Sequence, residues 1–160
     1  MNKRTNKFQN GIGLIEILIV ISIIGLSLAS LAGLGNFALK IQHRLKQNTV
    51  ATFWAAEAIE AARAVKDGGW ESLSALPMDV PLRPALSSYS WTLESGNETQ
   101  NGFTRQLVVS PVYRDSSFNI TAGGGTLDND TKKITVTVTW NDNGQNQQIS
   151  LADYLMNWKP

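Results

Sequence analysis

The feature that most constrains this chain is an uncharged apolar run from Ile17 to Leu39, 23 residues long and headed by one acid, Glu16. Wound as a helix at ~1.5 Å per residue it reaches about 34 Å, enough to cross the hydrocarbon core of a bilayer. It exceeds the roughly 7–15 apolar residues of an ordinary secretory signal. An acid at the mouth of such a helix is unfavourable, so Glu16 calls for a partner or a task. Before the run stands a polar leader with Lys3, Arg4 and Lys7; after it the sequence is soluble in character to Pro160. Basic residues flanking an apolar helix tend to stay cytoplasmic, which sends the other end outward.

The six residues entering the run are Gly11-Ile12-Gly13-Leu14-Ile15-Glu16. With the leader before them, they resemble the amino-terminal signal of type IV pilins and of the pilin-like proteins of type II secretion. Precursors of that family carry a short basic leader, a glycine at the cleavage point, an apolar stretch, and a glutamate five residues after the cut. Counted from Gly11, Ile12 is first and Glu16 is fifth. The resemblance implies cleavage between Gly11 and Ile12 by prepilin peptidase, N-methylation of Ile12, and an assembly role for Glu16. Its other implied partners are further pilin or pseudopilin subunits, with the inner membrane holding the chain before assembly. The chain departs from the family pattern in having Ile12 where Phe is commonest and Gly13 where Thr is commoner. Gly33 stands where many major pilins carry proline.

The physical consequence of such a cut follows from the residues. It creates an α-amino group on Ile12, charged near neutral pH given a reference pKa of about 8. Residues 12 and 16 are one helical turn apart, so cation and carboxylate can neutralise each other within one helix or between neighbouring helices. A competing reading starts from Ser30-Leu31-Ala32-Gly33, small residues that suit an ordinary signal peptidase. That cut would release a secreted binding domain starting at Gly33; without it, the same run would merely tether the domain.

Composition narrows the rest. The formal net charge is +1, and removing residues 1–11 leaves 11 basic against 13 acidic side chains. Lys and Arg do not cluster as a nucleic-acid surface requires. The absence of cysteine excludes disulfides, thiolate metal sites and a cysteine nucleophile. The one histidine, His43, has no G-x-S-x-G elbow to accompany it. An enzyme is not expected, and no cofactor is. Asp128 and Asp130, in Asp128-Asn129-Asp130-Thr131, alternate oxygen ligands as calcium sites do. They lack the twelve-residue loop and closing glutamate, so an ordinary turn is the first reading.

Helical character continues past Leu39. Phe37, Ile41, Leu45, Ala55, Ile59 and Ala62 share an arc of roughly 100° at 3.6 residues per turn, with Phe53 and Trp54 off it. One helix is expected from Ile12 to Lys66, ending before Gly68-Gly69, with Glu60 and Arg63 placed to pair. Pro77, Pro81 and Pro84 indicate a loop. Strands are expected at Ser88–Glu94, Phe103–Arg114 (Pro111 marking a bulge, edge or break), Ile134–Trp140 and Gln147–Leu155. A turn-rich link at 96–102, a loop at 122–132 and a hairpin turn at Asn141–Gly144 separate them. Trp70, Trp91, Trp140 and Trp158 are expected in the core or at an interface, the core being the first reading. The resulting fold class is α+β. A leader (1–11) and a membrane half-helix (12–39) precede a domain (40–160) in which the second half of the helix covers a three- or four-stranded antiparallel sheet. This arrangement also resembles the pilin fold.

Overall fold

The computed structural model describes residues 13–158. The chain forms two units, residues 1–45 and 46–160, and one helix, α1 (Leu14–Asp67), contributes to both. Its expected first residue, Ile12, lies outside the described residues; its end falls one residue beyond the expected Lys66. The helix is unbroken through Gly25, Gly33 and Gly35, although each glycine costs about 1 kcal/mol relative to alanine. It terminates where the two consecutive glycines stand, with the Gly68 and Gly69 N–H groups donating to the carbonyls of Ala64 and Lys66.

The second unit is α+β, with the carboxyl part of α1 packed on an antiparallel sheet. A short helix, α2 (Trp70–Ser74), follows α1. The strands are β1 (Leu82–Ser87), β2 (Ser90–Ser95), β3 (Glu98–Gln100), β4 (Phe103–Arg114), β5 (Ile120–Thr121), β6 (Thr126–Asp142) and β7 (Gln145–Met156). They run in the order β2-β1-β4-β6-β7, with β3 and β5 also pairing with β4. Alternation puts one face of β4 and β6 inward: Leu107, Val109, Ile134, Val136 and Val138 are fully buried. Against them α1 sets Ala51, Ala55, Ala58, Ile59, Ala62 and Val65. The alanines of this seam are fully buried in the core between helix and sheet. Phe37, Ile41 and Leu45, which share the expected stripe, are exposed instead. They belong to the first unit, whereas the buried part of the stripe belongs to the second, so periodicity alone did not show where along the helix the stripe is covered.

Three loop expectations are corrected. Pro84 lies within β1, paired with Leu93. Pairing of β1 with β4 is confined to Leu82 and Leu107, so further along β1 a missing N–H removes no ladder bond. Most of the 122–132 loop is strand, because β6 starts at Thr126, and the link at 96–102 contains β3. The sheet therefore has seven strands where three or four were expected. The bulge expected at Pro111 is present: Pro111 faces Lys132 while Val112 faces Asp128, so β6 carries three unmatched residues. The β6–β7 turn uses Asn143 and Gly144, both at positive φ, as a two-residue hairpin requires. Among the tryptophans, Trp140 is buried and Trp70 and Trp91 flank the core. Trp158 is 79% exposed, so of the two places expected for it the core is not the one it takes.

Candidate functional site

In the first unit the candidate site is the start of α1. Gly11 and Ile12, the expected cleavage pair and methylation site, lie outside the described residues. Glu16 sits in the first turn of the helix, where unpaired N–H groups and the helix dipole favour a carboxylate. Its own N–H donates to the Gly13 carbonyl at 2.7 Å. Its side chain is exposed and makes no hydrogen bond or ion pair among the described residues.

Behind Glu16 the helix is apolar on every side. Every Leu, Ile, Val and Phe from Leu14 to Leu39 leaves between 49% and 76% of its surface uncovered. A helix apolar all round is stable only when lipid or other protein surrounds it. Its few hydroxyls are internally satisfied: Ser22, Ser27 and Ser30 donate to the carbonyls of Leu18, Ile23 and Leu26 at 2.7, 2.8 and 2.9 Å. That pattern suits an environment without water, where an unmet hydroxyl is costly. A Cβ added at Gly25, Gly33 or Gly35 would meet nothing within 4 Å, so packing within the chain does not require these glycines. This helix is long and apolar enough to cross a membrane.

In the second unit, polar groups fasten α1 to the sheet. Arg105 is 1% exposed. Its Nη1 donates to the Trp54 carbonyl at 2.7 Å, its Nη2 and Nε donate to Glu98, and its guanidinium lies 4.5 Å from the centre of the Trp54 ring. Arg63 pairs with Glu60, as expected, and reaches across to Asp153 at 2.8 Å. Trp140 Nε1 donates to Gln47 Oε1 at 3.3 Å. The importance of Arg105 was missed in the sequence, although it occupies an inward phase of β4, between Phe103 and Leu107. A charge on the apolar phase of a strand was the available signal.

Asp128 and Asp130 lie at the β6 bulge. Asp128 Oδ2 accepts from Arg114 Nε at 2.6 Å, and its Oδ1 accepts the Asp130 N–H at 3.0 Å. Asp130 Oδ1 accepts from the Asn157 amide at 3.0 Å. The Arg114 guanidinium, helped by the Thr131 hydroxyl and the Asp130 N–H, holds the Asp128 carboxyl below the ordinary carboxylate range. Asp128 thus already faces a protein cation, and the two acids stand in strand β6 at its bulge, not in the ordinary turn that was the first reading. No group of three or more His, Asp or Glu among the described residues is arranged to hold a metal ion. Gly125 completes this corner. Its φ is +138°, and a Cβ there would come within 2.6 Å of the Arg114 carbonyl oxygen. Comparison with family models, curated proteins and solved structures finds no match for the chain.

Proposed function

We propose that the chain is a filament subunit of the minor pilin or pseudopilin kind, cut after Gly11 and assembled through the amino-terminal part of α1. The observation that carries this reading is the juxtaposition at the head of that helix. A carboxylate without a partner among the described residues stands on an all-round apolar helix, four residues after the resembling cleavage pair Gly11-Ile12. Lipid covers such a helix before assembly, and the helices of other subunits cover it afterwards.

Before cleavage the residue four positions ahead of Glu16 carries an amide; afterwards Ile12 carries an ammonium group, which methylation leaves positively charged. Between helices, away from water, the Glu16 carboxylate and a neighbour's ammonium attract more strongly than in solvent, and a misregistered subunit leaves both charges unpaired. The pair therefore sets axial register more than it adds net stability. The precursor resides in a bacterial inner membrane as a single-pass protein with its carboxyl-terminal domain outside the cytoplasm, and the mature chain passes into a pilus or pseudopilus. Prepilin peptidase and other subunits are its partners.

Glu16→Ala tests the reading. The variant should fold, insert and be processed, and yet enter sedimentable filaments at a tenth of the normal level or less, an effect on the order of 1.4 kcal/mol. Normal incorporation would overturn the charge-pair mechanism.

A further inference from the structure

A groove of about 310 Å³ lies between α1 and the turn joining β3 to β4, lined by Val50, Phe53, Trp54, Glu57 and Phe103 among others. That volume is at the lower end of small-ligand sites. Phe53 is 73% exposed and Val50 45%, so these two stand outside the core, while Trp54 and Phe103 pack against it.

The groove also carries a charge imbalance. Arg105 is answered by two carboxylates, Glu98 in direct contact and Glu57 at 3.6 Å. No other cation pairs with either acid among the described residues. One guanidinium and two carboxylates leave a net charge of −1 beside the aromatic rings. The walls are held in place as well. Trp54 is fixed through its carbonyl and its stacked ring by Arg105, and the opposite wall is set by a tight turn with Asn101 and Gly102 at φ 51° and 82°.

We propose that this groove binds an alkylammonium cation, an ammonium group carrying apolar substituents. Aromatic faces attract a cation through their quadrupole; Arg105 stacks on one side of Trp54, and the exposed Phe53 ring lies beside it for the ligand. Glu57 supplies the countercharge, and Val50 and Phe53 cover the alkyl groups. A bare metal ion would forfeit the apolar contacts, an anion would meet Glu57, and a neutral hydrocarbon would leave the excess charge unanswered. The same chemistry is presented by a free quaternary amine and by a lysine side chain of a neighbouring protein.

The test uses the full chain in maltoside micelles and follows the tryptophan indole N–H resonances, with the Trp54 signal assigned through Trp54→Phe. Three probes are titrated: choline, its neutral analogue with a tert-butyl group in place of trimethylammonium, and N-acetyl-lysine amide. The expected result is a saturable shift of the Trp54 signal by a cationic probe, with the neutral analogue weaker by on the order of tenfold. Tighter binding of choline identifies a free quaternary amine as the source, and tighter binding of the lysine amide a protein side chain. Glu57→Gln, an exposed substitution that leaves the other indole signals in place, should weaken the cation by a similar factor. Equal affinity for the neutral analogue, unchanged affinity in Glu57→Gln, or no response of Trp54 to either cation would overturn the proposal.

Discussion

Individual residues in this protein are legible mainly through what answers their charge. Arg105 is buried with a carboxylate, a helix carbonyl and an indole ring around it. Removing it strands Glu98 and takes away the Trp54 carbonyl's second donor, so Arg105→Ala should destabilise the second unit by about 3 kcal/mol, the lower part of the range for breaking a buried pair because Glu98 keeps some solvent. Urea unfolding followed by tryptophan fluorescence measures this. Asp128 offers a pH test. Its folded-state pKa is depressed, chiefly by Arg114, so its contribution is fully present above the unfolded value of about 4 and disappears as pH falls through the folded value. Asp128→Asn should therefore lower stability by about 1–2 kcal/mol at pH 7, and the gap to the parent chain should close on acidification. A gap that is constant with pH would show that the Arg114 clamp is not the source.

At the scale of elements, the strongest periodic signals were read correctly and the weakest were not. Strict alternation in Ile134–Trp140 located β6, and Asn143-Gly144 its turn, because each pattern has one low-energy backbone solution. The start of β6 at Thr126 was obscured by Gly123-Gly124-Gly125 and by acids that signal turns, and its pairing with β4 is long-range information. Pro84 misled for a related reason: whether a proline breaks a strand depends on whether a neighbour needs its N–H. On α1, the seam of Ala51, Ala55, Ala58 and Ala62 was only partly foreseen, since alanine is a faint hydrophobic signal. Ala55 is fully buried, so Ala55→Leu should cost about 1–3 kcal/mol by overpacking, readable as a lower urea midpoint. Glu16 was legible because an acid is conspicuous in an apolar run, whereas Arg105 was hidden by the ordinary frequency of arginine. The flanks of that run make a further prediction. Lys3, Arg4 and Lys7 precede it and Lys40, Arg44 and Lys46 follow it, so the proposed orientation depends on the leader cations, without which the charge bias would reverse. Replacing all three with glutamine should leave a protease-accessible fraction of the domain on the cytoplasmic side.

At the scale of the whole molecule, two units place different demands on their surroundings. The second has its own core and charge clamps; the first is a helix with apolar residues on all sides and one carboxylate at its head. The proposal of a filament subunit satisfies the first unit's demand twice, with lipid and then with like helices, and gives Glu16 its counter-ion only once Gly11 has been removed. Processing is therefore the step on which the account turns. Mass spectrometry of the intact protein recovered from membranes or filaments reads it directly. The account predicts a mature amino terminus at Ile12, and predicts that Gly11→Ala leaves the precursor uncut. A mature chain beginning at Gly33, or one retaining residues 1–11 in assembled material, would contradict it.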